Sequence, residues 1–265
     1  MSAFLYSLSD PTIVILFACV GALVMLVFAG IKKTIPFLSK PRTADEIKKA
    51  DDFLIATRAT VIAMCSLVLA FSMVTVISNF NKAEAAAAAE ASLINNMDRM
   101  MARYGDPSVA ALRTNLLAYT RSIVDDEWPL LSQGKGSDKT RELFVSISKG
   151  VIAIHPEPGR QSVIYTEMVK KADDIAEARE ARLESTSTSL AGIFWLMVGL
   201  TFSAMILLAF FVDLNPIRVF GFAVQMAAFS ALLSVVFIFD QPFDGDTSVS
   251  PKAFIKTIHA MQGRS

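Results

Sequence analysis

Four stretches of this chain run for about 20 residues without a charged side chain: Thr12 to Ile31, Ala59 to Phe80, Leu190 to Val212 and Val219 to Phe239. A hydrocarbon core of about 30 Å needs ~20 apolar residues at a helical rise of ~1.5 Å each, so every stretch is long enough to cross a bilayer. Lipid offers no hydrogen bonds to an open backbone, which makes each span a helix. No positively charged segment precedes the first run, and its apolar stretch is longer than a signal peptide uses, so it reads as a span. Asn215-Pro216 sits within the short connection Asp213 to Arg218, which predicts that spans three and four pack as an antiparallel hairpin. Ala223, Ala227 and Ala231 in the fourth span, and Ala18 and Ala22 in the first, recur at one-turn spacing and let helix backbones approach closely.

Between the second and third runs the pattern changes. Residues 81 to 184 hold 14 basic and 16 acidic residues with helical rather than alternating periodicity, which predicts an extramembrane helical domain. Ala83 to Arg103 consists of strong helix formers and continues the second span. Asp106-Pro107 then opens a helix on which Val109, Leu112, Leu116, Tyr119 and Ile123 form one stripe. Ser137 caps a further helix bearing Phe144, Ile147, Val151 and Ile154. After His155-Pro156-Glu157-Pro158-Gly159, a last helix through Ile164, Met168 and Ile175 leads to the third span. The predicted organisation is a transmembrane hairpin over 1–80, the helical domain over 81–184, a second hairpin over 185–239, and a juxtamembrane tail with a short helix over 240–265. The fold class is all-α, a polytopic membrane protein with four transmembrane helices.

Composition agrees and removes several functions. The chain is 53% apolar and 19% charged with a mean hydropathy of +0.48, which places much of it in lipid. Lys+Arg and Asp+Glu balance at 25 each, so there is no basic field for nucleic acid. Cys19 and Cys65 lie in separate spans and His155 and His259 are far apart, which excludes a disulfide framework and a Cys/His zinc site. The two short loops, Lys32 to Arg58 and Asp213 to Arg218, carry eight Lys/Arg in 33 residues, against nine in the 76 membrane-proximal residues of the opposite face. By the positive-inside rule Lys32, Lys33, Lys40, Arg42, Lys48 and Lys49 are cytoplasmic and the helical domain is external.

Glu90-Ala91, Tyr119, the run Asp126-Glu127-Trp128-Pro129 to Gly134, and Arg179 and Arg182 before Ser185 form one set of distinctive residues. The tail adds Gln241-Pro242-Phe243-Asp244-Gly245-Asp246 and Val249-Ser250-Pro251. On these, from about residue 55 to 258, the chain resembles the bestrophin-like family of bacterial four-span proteins. The family is distantly similar to bestrophins, pentameric anion channels gated by calcium, and that is what the resemblance implies here. It also implies a cytosolic helical domain, opposite to the charge count.

Charged side chains are absent from all four runs, which argues against a proton relay or an ion-coupled pump. A channel can be lined by hydroxyls, amides and hydrophobic constrictions. The candidates are Ser66, Phe71, Thr75 and Asn79 in or beside the second span, with Gln225 and Ser230 in the fourth. Ser and Thr hydroxyls commonly bond their own helix instead. Asp240, Asp244 and Asp246 offer carboxylate oxygens for calcium, but an EF-hand register started at Asp240 meets Pro242 at its third position and Pro251 at its twelfth. A juxtamembrane turn capped by Ser250-Pro251 accounts for most of that segment, and Arg179 and Arg182 are competing ion-pair partners for its acids. Trp128-Pro129 reads as an aromatic anchor that ends a helix. Nucleophile, base and phosphate-cradling motifs are missing, so an enzyme is not expected. Taken with these residues, the resemblance implies an ion (anion) channel in a bacterial inner or plasma membrane, working as a homo-oligomer with the lipid bilayer and inorganic ions as partners. The alternatives are a non-conducting sensor or scaffold whose helical domain binds a protein, and an accessory subunit of an envelope complex.

Overall fold

A computed structural model describes residues 5–6, 8–34, 44–212 and 215–264. Among them every regular element is helical, and four helices are long and apolar enough to cross a membrane. In chain order these are α1 (Asp10–Thr34), α2 (Ala44–Tyr104), α3 (Pro107–Ser122), a π-helical turn (Ile123–Glu127), α4 (Trp128–Leu131), α5 (Asp138–Ile152) and α6 (Arg160–Glu184). A 3-10 turn (Ser185–Ser187), α7 (Gly192–Phe211), α8 (Pro216–Phe239) and α9 (Lys252–Gln262) follow. The chain is a multi-pass membrane protein.

The second span and the alanine-rich segment form one unbroken helix of 61 residues, as the run of strong helix formers predicts. The third span does not continue α6 in the same way: the helix ends in the 3-10 turn and α7 starts afresh at Gly192. Asn215 is the N-cap of α8, its Oδ1 accepting the Arg218 N–H at 2.8 Å, with Pro216 in the first turn, so α8 begins three residues before the expected start of the fourth span.

The chain divides into two compact units. One comprises residues 1–78, 189–240 and 245–247, the other 79–188, 241–244 and 248–265. In the first unit, Met25, Cys65, Leu69, Val198, Met205, Ala209, Phe222 and Met226 form an apolar cluster drawn from all four spans. Its closest helix pair is not the expected one. The connection at Asp213 to Arg218 predicts α7 against α8, whereas extensive backbone approach occurs between α1 and α8. Gly21 is the reason: a Cβ there would lie 2.7 Å from the Met226 carbonyl oxygen and run into Ser230 Oγ, so the missing side chain is what lets the two backbones meet. Polar groups close the helix ends. Lys32 Nζ donates to the Val212 carbonyl at 2.5 Å, and Asp240 Oδ1 accepts the Leu190 N–H at 2.6 Å.

In the second unit the apolar stripes are buried as their spacing predicts. Val109, Leu116, Tyr119 and Ile123 meet Ile147 and Val151 of α5 and Met168, Ala172 and Ile175 of α6 in one core with Ile94, Met97 and Met101 of α2. Ser137 caps α5, its Oγ accepting the Thr140 N–H at 3.3 Å. Gly159 enters α6 with φ +99°, a left-handed conformation that glycine adopts without penalty.

Candidate functional site

The most concentrated chemistry in the described residues lies inside the second unit. It begins with a local conflict at Trp128-Pro129. Proline has no N–H to offer the carbonyl four residues earlier, so an α-helix cannot run through position 129 unchanged. The chain responds by widening: the Trp128 N–H reaches back five residues to the Ile123 carbonyl, and Ile123–Glu127 becomes a π-helical turn. The helix therefore does not end at Trp128-Pro129, as expected, but resumes as α4. Trp128 packs edge-on against Phe243 and Phe254, each at 5.7 Å between ring centroids.

The π turn brings Glu127 into a fully buried ionic network. Its Oε1 accepts from Arg182 Nη2 at 2.6 Å, and its Oε2 accepts from Arg179 Nη2 at 2.5 Å and from the Ser137 backbone N–H at 2.9 Å. Glu90, on α2, receives Arg182 Nε on Oε2 at 2.6 Å and the Tyr119 hydroxyl on Oε1 at 3.0 Å. Glu90, Tyr119, Glu127 and Arg182 are all 0% exposed and Arg179 is 6% exposed. The Arg182 guanidinium carbon also lies 5.7 Å from the Trp128 ring centroid and 5.6 Å from that of Phe254, within cation–π range. Five segments are thereby tied together: α2, α3, the π turn, the cap of α5, and α6.

Two carboxylates against two guanidiniums leave the cluster neutral. Burial works against the charge on Glu127, but the hydrogen bonds from Arg179 and Arg182, the charge of Arg182 and the Ser137 N–H outweigh it and hold its carboxyl below the usual range. Burial likewise opposes the charge of Arg182, and Glu90 and Glu127 more than restore it, raising its pKa. The Tyr119 phenol is pushed well up, first by burial and then by the charge of Glu90. With Glu127 favoured as the carboxylate and Arg182 as the guanidinium, the network works as a clamp rather than a proton shuttle.

Arg179 and Arg182 thus form ion pairs, but with Glu127 and Glu90 and not with the tail acids. The tail is a turn: the Val249 N–H donates to the Pro242 carbonyl at 2.8 Å and Gly245 sits at φ +83°. Asp240 is engaged by the Leu190 amide and Asp246 is exposed. Among the described residues no three His, Cys, Asp or Glu side chains converge as metal ligands would. Asp126, next to Glu127, pairs instead with Lys139 at 2.8 Å.

Glu90 and Glu127 were not singled out as site residues from the sequence, although a signal was present. Glu90 falls on the same helical stripe as Ala83, Ala87 and Ile94, all buried, and Arg179 and Arg182 prolong the stripe of Met168, Ala172 and Ile175. A charge on a buried stripe calls for a buried partner.

The pore-lining candidates are distributed differently. In the first unit, α2 leaves Met64, Leu67, Phe71 and Val74 exposed on one face while Cys65, Leu69, Ser72 and Val76 are buried on another. Ser66 and Thr75 bond the Ile62 and Phe71 carbonyls of their own helix, each at 2.9 Å. Gln225 is held within the chain: its Oε1 accepts from Arg58 Nε at 3.0 Å and also from Arg58 Nη2, and the Arg58 guanidinium lies 3.9 Å from the centroid of the Phe222 ring. Ser230 is buried at the Gly21 crossing. Asn79, half-buried, belongs to the second unit.

A family model of the Bestrophin-like domain matches residues 37–254. The chain belongs to the bestrophin-like family. No curated protein matches the sequence. A crystal structure of a bacterial bestrophin homolog from Klebsiella pneumoniae aligns with a TM-score of 0.70 at 14% identity, over 95% of this chain and 98% of that one. A second structure of the same homolog gives a TM-score of 0.68 at 15% identity, over 94% and 97%. At such identities these likenesses show a shared fold. The bestrophin-like residues named from the sequence, Glu90, Tyr119, Glu127, Trp128, Arg179 and Arg182, are the ones that meet in the buried network.

Proposed function

We propose that this bestrophin-like protein is an ion channel, selective for anions, that works as a homo-oligomer in a bacterial inner or plasma membrane, with the second span lining a pore shared between subunits. The observation that carries this reading is the face Met64, Leu67, Phe71 and Val74 of α2, exposed along a single helical stripe while the opposite stripe is packed. A ring of such faces around an axis forms a hydrophobic constriction, a gate that works by dewetting and needs no charged residue within the span. Ser66 and Thr75 flank the stripe and add hydroxyl oxygens beside it. Gln225 and Ser230, each engaged inside the chain, belong to the packing that supports the pore and not to its wall.

The test is electrical. Purified protein in a planar bilayer is expected to show unitary currents whose reversal potential follows a chloride gradient, and Phe71→Ala is expected to raise conductance because it widens the constriction. An intact wild-type oligomer that stays silent with chloride, potassium and calcium present overturns the channel reading in favour of a non-conducting scaffold.

A further inference from the structure

Within the first unit, α1 and α8 flank a groove of about 1080 Å³ that reaches the Lys32 end of α1. Small residues make it: Ala22, Ala29 and Gly30 on α1 face Ala223 and Ala227 on α8. The volume lies just above the range of small-molecule sites, about 300–1000 Å³. Its body is apolar, but its mouth is not. Lys32 and Lys33 line it there with Asn215, the N-cap of α8, and Pro216, its first residue, where the helix dipole adds partial positive charge. Lys32 is tethered to the carbonyl end of α7, and Lys33 is exposed.

We infer that this groove holds an anionic phospholipid, an acyl chain lying along the alanine-lined body and the phosphate headgroup at Lys33 and the α8 N-terminus. An apolar groove with a cationic mouth needs an occupant with a hydrocarbon body and a negative end, and the groove is lined by no Asp or Glu of its own that would neutralise the lysines. Basic pockets between transmembrane helices are suited to anionic headgroups. Lipid tails are already in an apolar medium, so the chain gains only packing in the groove and the headgroup charge must carry the preference. The site therefore distinguishes lipids by headgroup. This goes beyond the channel reading and does not depend on it.

Native mass spectrometry of the full-length, detergent-purified protein reads this directly, with palmitoyl-oleoyl phosphatidylglycerol and the phosphatidylcholine of the same chains added at equal concentration. The wild type is expected to retain phosphatidylglycerol preferentially. Lys33→Gln is expected to lower that preference about fivefold, and Lys33→Arg to keep it. A Cβ at Gly30 meets nothing within 4 Å, so a side chain can start from that position, and Gly30→Phe, which adds bulk to the groove wall, is expected to lower retention of phosphatidylglycerol. Equal retention of both lipids by the wild type, or an unchanged preference in Lys33→Gln, overturns the inference. So does a Gly30→Phe protein that loses oligomer mass while its bound lipid stays the same, since the occupant is then a second copy. Retention is measured without conduction, so a silent protein that still selects phosphatidylglycerol removes only the channel reading.

Discussion

In the unit that carries residues 79–188, two glutamates and two arginines are buried together with a tyrosine, each carboxylate engaged by at least one guanidinium. In the unit that carries the four apolar spans, the shared cluster is made of Met, Leu, Val, Ala, Cys and Phe, and polar bonds sit near helix ends, Lys32 on Val212, Asp240 on Leu190 and Asn215 on Arg218, while Arg58 on Gln225 reaches into a span. The difference follows from the solvent each helix expects. Apolar side chains gain little from leaving lipid for a helix interface, so spans are specified by close approach at small residues and by polar groups near their ends. Helices outside the membrane bury their stripes for the hydrophobic effect, and a buried ionic cluster then selects one arrangement among many apolar ones, because any slip strands a charge.

Arg182→Met breaks this contrast most severely. It leaves Glu90 without its guanidinium and Glu127 with one fewer, and it is expected to destabilise the helical unit by about 3–5 kcal/mol, read from denaturant unfolding followed by Trp128 fluorescence. Removing Glu90 and Arg182 together, as Glu90→Leu with Arg182→Met, is expected to recover part of that loss; a double variant as unstable as the two single losses added would mean that the charges do not act as a pair. Gly21→Ala tests the other unit. Its methyl would crowd the Met226 carbonyl oxygen and both Oγ and Cβ of Ser230, at a cost of about 1–3 kcal/mol seen as a lower melting temperature in detergent, and Ser230→Ala relieves only the Oγ clash. Ser137→Ala removes the cap of α5 and is expected to cost about 1 kcal/mol, with the backbone bond from Ser137 to Glu127 retained.

The acid limb of stability sharpens the same comparison. Glu127 has its pKa lowered in the folded state, so its contribution is complete above the ordinary glutamate value of about 4.3 and is lost as pH falls through that value toward the folded one. Unfolding of the helical unit is therefore expected to be flat in pH from 7 to about 5 and to ease below about 4. A steep loss of stability between pH 7 and 5 would assign the sensitivity to some other group.

Much of the fold was legible because periodicity and span length are direct consequences of lipid thickness and helix geometry. The four spans, the stripe from Val109 to Ile123, and the cap at Ser137 could each be read from local patterns. What could not be read was which helices become neighbours. The short turn at Asn215-Pro216 pointed to α7 and α8, but the Gly21–Ser230 crossing depends on residues more than 200 positions apart, and a single glycine within an apolar run carries no mark of its partner. The ionic cluster was half legible. The sequence marks Arg179 and Arg182 as ion-pair residues and offers tail acids on the same membrane face as partners; Glu127 meets the arginines from the π turn before Pro129, which no local pattern announces. Gln225, a polar side chain inside a span, reads as a pore-wall candidate, and no local pattern shows that it bonds Arg58, 167 positions away.

The claim that the exposed face of the second span lines a conducting axis is tested most directly at residue 71. In a background lacking Cys19 and Cys65, Phe71→Cys places a thiol on that face, and a negatively charged methanethiosulfonate reagent is added while current is recorded across a planar bilayer. If the face borders water at the pore, the thiol reacts and the added sulfonate changes the current within the recording, while the same background retaining Phe71 is unaffected. A conducting Phe71→Cys protein whose current is unchanged and whose thiol stays unlabelled by mass contradicts the account, because residue 71 then faces lipid and the ions pass elsewhere.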